Sequence, residues 1–267
     1  MKFNYENSTW GSGTASLNCS DPTAFRLSMS LKSLPKTGRV LEIGCGAGQF
    51  IRAIKKRRQE LECCGCDISK SAIQKAKSVF DGVEYNLSEE GIFPYENSSI
   101  DTVLIYDVLE HVDNPDEILK EVRRVLKNGG QFYMFVPCEG DWLSFWNFLR
   151  KIGIGKGLTR KYAGHISYFT RKNIYDILKK YELTVISKRF SEHIIGQKIG
   201  VLSFFLMDRY AKKNSLDQVN NEAYFKKVKL GFLRGFVNSV VYFESWVLQY
   251  LPSPNLHIIS VKNKVNL

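Results

Sequence analysis

No apolar run in this 267-residue chain reaches the roughly 18 residues a helix needs to cross a bilayer, so no spanning segment is expected. The opening residues, MKFNYENSTWGSG, lack the apolar centre of a secretory signal, and the expected location is cytoplasmic. The six cysteines, Cys19, Cys45, Cys63, Cys64, Cys66 and Cys138, then read as reduced thiols rather than disulfides. The Cys63, Cys64, Cys66 cluster has no second C-x-x-C and no histidine beside it. In a strand Cys64 and Cys66 face one side and Cys63 the other, so buried strand residues are expected and a metal site is not. The G-x-x-x-x-G-K-[ST] sequence of a P-loop is missing, as are internal repeats and low-complexity tracts.

What is there begins with an uneven charge. Residues 141–267 carry 21 Lys and Arg against 8 Asp and Glu, whereas residues 1–140 carry 17 against 19. The whole net charge of +11 therefore belongs to the C-terminal half, which also holds 21 of the 34 aromatic residues. Such a half is either a solvated basic face or a surface for something anionic: a phosphorylated substrate, a nucleic acid or an acidic bilayer.

Short apolar runs at 39–43, 61–66, 82–87, 101–106 and 131–137 read as strands, with helical stretches between them. An early helix is expected over SDPTAFRLSMSLKSL, capped by Ser20 or Asp21 with Pro22 in its first turn. Another starts at Asn114-Pro115, with Asn114 as the cap and Glu117 reaching back as in a capping box, and ends at KNGG (127–130) on a glycine cap. Thr170 opens a further helix, and strands follow at 184–190 and 256–262. This alternation gives an α/β fold built on a doubly wound parallel sheet. Two segments, 138–169 and 191–255, are longer than plain connections and long enough to carry function. The chain divides into a core with an N-terminal helix (1–190), a helical, basic and aromatic insertion or cap (191–255), and a final strand returning to the sheet (256–267).

The stretch VLEIGCGAGQF (40–50) puts Gly44, Gly46 and Gly48 in a turn at the carboxyl end of the first strand, where open α/β sheets bind ligands. The register is G-x-G-x-G, not the G-x-G-x-x-G of a dinucleotide site. Glu42 beside the turn repels a pyrophosphate and attracts an ammonium or sulfonium. Asp67, at the end of the second strand, suits two ribose hydroxyls.

These residues, with GCDISKSAIQKAK, FPYENSSIDTVLIYDVLEHVDNPDEILKEVRRVLKNGGQFYMFVP and GHISYFTRKNIYDILKKYEL, resemble the class I methyltransferases that use S-adenosyl-L-methionine (SAM). The branch is the small-molecule one that includes the ubiquinone-biosynthesis O-methyltransferases. The resemblance covers roughly residues 10–190 and is most specific over 39–137. It implies a seven-stranded Rossmann-like sheet with its last strand antiparallel, and SAM as cofactor. It implies that Glu42, Gly44, Cys45, Gly46 and Gly48 surround the methionine part of SAM, that Asp67 holds the ribose and that Ile68 packs on adenine. Glu89, with Glu90 as a rival, matches the acidic position near the adenine amino group. Tyr106 and Asp107 would line the cofactor and face the methyl.

Methyl transfer is an in-line displacement, so the protein must chiefly align the nucleophile, and a hydroxyl nucleophile also needs a base. His165, in GHISYF within the long segment after the fifth strand, is the first candidate; His111, in LEHV, is the second, and Asp107 accompanies them. His257 lies in an expected strand and reads as structural. The fourth-strand segment YDVLEH is not the Asn/Asp-Pro-Pro-Tyr type of nucleobase methylation, which argues against a nucleobase and leaves ribose and other nucleic-acid sites open; a nucleic-acid partner is not the expectation. In the C-terminal half, HIIGQKIGVLSFFLMDRYAKK and FKKVKLGFLRGFVNSVVYFESWVLQYL are interrupted by Lys198, Arg234 and Glu244. They fit an amphipathic helix lying in a membrane interface, and equally a helix packed on the sheet. The expected function is methyl transfer from SAM to a small-molecule or lipid-like acceptor, at a hydroxyl oxygen, with peripheral contact to an anionic membrane. An RNA methyltransferase and a SAM-binding protein without catalysis are the alternatives. A nicotinamide dehydrogenase is disfavoured by Glu42 and the glycine register.

Overall fold

The computed structural model of the chain describes residues 11, 13–89, 91–214 and 231–263. Seven strands, β1 (Gly38–Ile43), β2 (Leu61–Asp67), β3 (Glu84–Leu87), β4 (Ile100–Tyr106), β5 (Leu126–Pro137), β6 (Leu183–Ser191) and β7 (Asn255–Lys262), form one sheet in the order β3-β2-β1-β4-β5-β7-β6. β1 to β5 pair in parallel, and β7 runs antiparallel to both β5 and β6. This is the doubly wound α/β sheet with a reversed last strand expected from the sequence.

Alternation along each strand sends side chains to two apolar layers. Leu41, Ile43, Cys64 and Cys66 pack with α4 (Pro115–Val125) and α7 (Arg171–Lys180). Val40 and Cys63 pack on the other face with α1 (Ala24–Ser30), α2 (Gln49–Arg57) and α3 (Lys70–Lys77). The cysteine cluster is thus split between the two faces, and its thiols are free and buried.

The long segment after β5 forms α5 (Phe145–Lys151) and α6 (Leu158–Tyr162), and both pack on α8 (Ile194–Lys213). α8 and α9 (Gly231–Leu248) occupy the stretch between β6 and β7. The buried Glu244 carboxylate of α9 caps α8, accepting from the backbone N–H groups of Ile194, Ile195 and Gly196 at 2.9, 2.6 and 3.0 Å. It meets the positive end of that helix and satisfies three donors that the helix cannot pair itself. No helix among the described residues is long and apolar enough to cross a membrane.

Three local expectations differ from the structure. α1 begins at Ala24, because Asp21 and Pro22 form a preceding turn in which Asp21 Oδ1 accepts from Thr23 N–H at 2.8 Å. Asn114 makes no side-chain cap. Its Nδ2 donates to Glu117 Oε1 at 2.9 Å, so each side chain satisfies the other instead of the backbone. α4 does not run to the glycines: it stops at Val125, and the fully buried Leu126 is already extended and paired with Ile100. Burying Leu126 in the sheet outweighs a glycine cap, and Gly129 (φ 79°) is absorbed inside β5.

Candidate active site

A cleft of about 820 Å³ opens along the carboxyl ends of β1, β2, β4 and β5. One half is built by the β1–α2 turn. Glu42, the penultimate residue of β1, is buried, and its Oε2 accepts from Ile51 N–H at the start of α2 at 2.7 Å. Burial, with the charge of Asp67 nearby, holds its pKa well above the usual carboxylate range. Such a group gains most from a cation placed beside it. Gly44 and Cys45 donate their N–H groups to Cys66 O at 2.8 and 3.1 Å, tying the turn to β2. Asp67 Oδ2 accepts from Gly46 N–H at 2.7 Å and its Oδ1 from Ser69 N–H at 2.8 Å.

Of the residues expected at the cofactor, Glu42, Gly44, Cys45, Gly46, Asp67, Ile68, Glu89 and Tyr106 line this cleft. Tyr106 stacks on Phe50, with 4.0 Å between ring centroids. Gly48 does not line it. It supports the turn from behind at φ 88°, where a Cβ would lie 2.3 Å from Tyr85 Oη. Glu90 lies outside the described residues. The lining fits SAM: Glu42 could receive its ammonium, the Gly44 and Gly46 backbone leaves room for its methionine part, and Asp67 could take its ribose hydroxyls.

The other half of the cleft is rich in ionisable groups. His165 Nδ1 lies 2.7 Å from Glu139 Oε1. Glu139 follows β5, and its second oxygen accepts from Arg150 Nη1 at 2.8 Å and Thr159 Oγ1 at 3.1 Å. Burial alone would lower the His165 pKa, but the Glu139 hydrogen bond and charge outweigh it and the pKa is raised. The His111 ring meets that of His165 edge-on at 5.0 Å. Burial, and then the neighbouring His165, push His111 down to about 3. Glu110 is fully buried beneath both rings, 3.8 Å from His111 Nε2 and 4.0 Å from His165 Nε2. Neither of its carboxyl oxygens has a hydrogen-bond partner among the described residues, and burial raises its pKa. Glu110, His111 and His165 each present one oxygen or nitrogen within 4.8 Å of the others, a spacing able to hold a cation.

Asp107 is at the cleft but differently engaged. Its carboxylate receives Arg26 Nη1 of α1 at 2.6 Å, and Arg26 Nη2 lies 3.6 Å from Glu192 Oε1. Asp107 (φ 50°) and Glu192 (φ 51°) both adopt the left-handed conformation, a strain of about 1 kcal/mol each. One guanidinium, resting 4.1 Å above the Phe135 ring, thus joins α1, the β4 loop and the end of β6. His257 is structural, buried between Tyr133 Oη at 2.8 Å and Ser191 Oγ at 2.9 Å. Sequence reasoning brought out His165, His111 and Asp107 but missed Arg26, Glu110, Glu139 and Glu192. The one available signal was position: Glu139 stands just past the carboxyl end of a strand.

A family profile described as a methyltransferase domain matches residues 18–188, and the chain belongs to that family, the class I SAM-dependent methyltransferases. An uncharacterized protein of Methanocaldococcus jannaschii is 29% identical over 149 residues, covering 56% of this chain and 65% of that protein. The mitochondrial ubiquinone biosynthesis O-methyltransferase of Candida albicans is 27% identical over 137 residues, covering 46% of this chain and 41% of the relative. The methyltransferase solved with the Haloferax volcanii Trm112 activator shares the fold, with a TM-score of 0.57 at 17% identity over 91% of this chain and 90% of that one. The chain spans 35 to 65% of the length of such curated relatives.

Proposed function

We propose that this methyltransferase places the methyl group of SAM on a hydroxyl oxygen of a small or lipid-linked acceptor, with His165 as general base. The observation that carries the reading is the His165–Glu139 hydrogen bond at 2.7 Å in the half of the cleft away from the Glu42–Asp67 walls. SAM supplies a methyl carbon already activated by its sulfonium. The protein's task is to orient the oxygen and accept its proton.

Glu139 accepts from Nδ1 of His165 and so leaves Nε2 as the basic atom. As the acceptor hydroxyl attacks, its proton passes to Nε2, and the Glu139 carboxylate stabilises the imidazolium. Arg150 and Thr159 keep Glu139 in place. His111, held neutral by burial, adds a polar wall without a competing charge. Relatives are named for transfer to carbon, nitrogen and oxygen alike, so the choice of oxygen rests on the His165–Glu139 pair.

The test is incubation of the pure protein with methyl-labelled SAM and an extract of its own source, followed by separation into organic, aqueous and RNA fractions. Label in the organic or aqueous small-molecule fraction, lost in His165→Ala, is the expected result. Label in RNA would replace the reading with an RNA methyltransferase. SAM binding without label in any fraction would favour a binding protein.

A further inference from the structure

We infer that the outward face of α8, with the loop that follows α5, docks on an anionic bilayer. The inference rests on the methyl-transfer reading only for its purpose, which is delivery of a lipid-linked acceptor to the cleft.

α8 has one inward stripe. Gly196, Gly200 and Phe204 line the cleft, and Met207 and Ala211 are buried beside Tyr162 of α6. The opposite face is also apolar. Ile195, Leu202, Phe205 and Leu206 are 42%, 57%, 36% and 42% exposed. A helix with apolar side chains on two opposite faces, only one of them buried, leaves hydrocarbon in water. Lys198, Arg209 and Lys213 are interleaved on that outer face, all exposed. At 100° per residue these seven side chains fall within one contiguous arc. The single acid of α8, Asp208, is turned to α6, where it accepts from Tyr162 Oη at 2.9 Å.

The neighbouring loop extends the surface. Ile152 and Ile154 are 54% and 45% exposed, between the exposed Lys151 and Lys156. A Cβ on Gly155 would sit 3.2 Å from Phe205 Cζ, so the loop and the α8 face are continuous. Apolar side chains mixed with long cations, and no acid among the described residues of the face, match the headgroup region of an acidic leaflet: the hydrocarbon enters and the amines snorkel to phosphates. A second copy of the chain would set lysine rows against each other. A nucleic acid would leave Ile195, Leu202 and Leu206 against phosphates, so the bilayer fits better. The cleft lining lies on the other side of the same helix, about 10 Å away.

The test is co-sedimentation of the full chain with phosphatidylglycerol vesicles and with phosphatidylcholine vesicles, at low and high salt, without SAM or acceptor. The expected result is a partition at least roughly ten-fold higher on phosphatidylglycerol, falling with salt, since each basic residue at the surface is worth about five-fold. The paired variants Leu202→Glu/Leu206→Glu and Lys198→Glu/Arg209→Glu lose that partition while keeping parental SAM affinity, which shows that they fold. No preference for the anionic vesicle would overturn the inference. Parental binding by both variants would also overturn it, as would RNA binding that disappears in the variants while vesicles stay bare. Vesicle binding is read without turnover, so its failure leaves methyl transfer standing, and an inactive enzyme that binds vesicles leaves the docking face standing.

Discussion

The carboxylate of Asp67 accepts the backbone N–H of Gly46 at 2.7 Å, joining the end of β2 to the turn that follows β1. Its other oxygen serves Ser69 N–H, so both oxygens are hydrogen-bond acceptors in the folded chain. Asp67→Asn turns one of them into a donor that faces an N–H. We expect a loss of about 1–2 kcal/mol in stability and at least a roughly ten-fold weaker SAM affinity, read by thermal unfolding and calorimetric titration.

Gly48→Ala tests the turn itself. The substitution must hold φ 88° and place a carbon 2.3 Å from Tyr85 Oη. The conformation alone costs about 1–2 kcal/mol and the overlap about as much again. A lowered midpoint of unfolding in denaturant, with unchanged slope, is the expected reading.

Glu42 couples stability to the cofactor. Its folded pKa is raised by burial and by Asp67. A raised carboxylate favours the fold below its unfolded pKa and withdraws that contribution as pH rises through the folded value. Glu42→Gln should therefore gain stability on the alkaline side of that range and lose SAM affinity by at least roughly ten-fold, a trade typical of functional sites. SAM binding to the parent protein should release a proton, seen as a dependence of the binding heat on buffer ionisation, and the variant should show none.

His165 must be neutral to act as a base, and Glu139 raises its pKa. Activity should fall on the acid side with a limb displaced above the ordinary histidine value of about 6.5. His165→Ala should cost about 10²–10⁴-fold in kcat with SAM affinity kept. Glu139→Gln should move the acid limb to lower pH and lower the plateau, a pairing that simple unfolding cannot produce. A pH–rate profile of the three proteins decides it.

Glu244→Gln leaves fewer and weaker acceptors for the three N–H groups at the start of α8. The expected cost is about 1–2 kcal/mol. Faster hydrogen exchange confined first to residues 194–196 would locate the loss at the cap.

The half of the cleft walled by Glu42 and Asp67 was legible because its signals are local. Glu42 and the three glycines fall within seven residues, and the strands around them are continuous apolar runs. The half around His165 was legible only in its histidines. Arg26 meets Asp107 across 81 positions, and Glu139 meets His165 across 26, so their roles exist only once the sheet is assembled. The α4 terminus was misplaced for a related reason: Gly129 and Gly130 are strong local stop signals, but the pairing of Leu126 with Ile100 is a long-range event that overrides them. Outward-facing Leu202 and Leu206 could not be separated from core residues, because composition does not say which side of a helix meets the sheet.

The position of β7 bears on how the molecule is made. Among the described residues β6 has no neighbour in the sheet except β7, and β7 also closes against β5, through pairs such as Gln131 with Val261. During synthesis β1 to β5 can pair as they emerge, while β6 waits through the whole of α8 and α9 for its partner. Late closure of this kind keeps an apolar strand edge open until residues 255–262 arrive, and makes that interval the one in which a nascent chain is most exposed to aggregation or to chaperones.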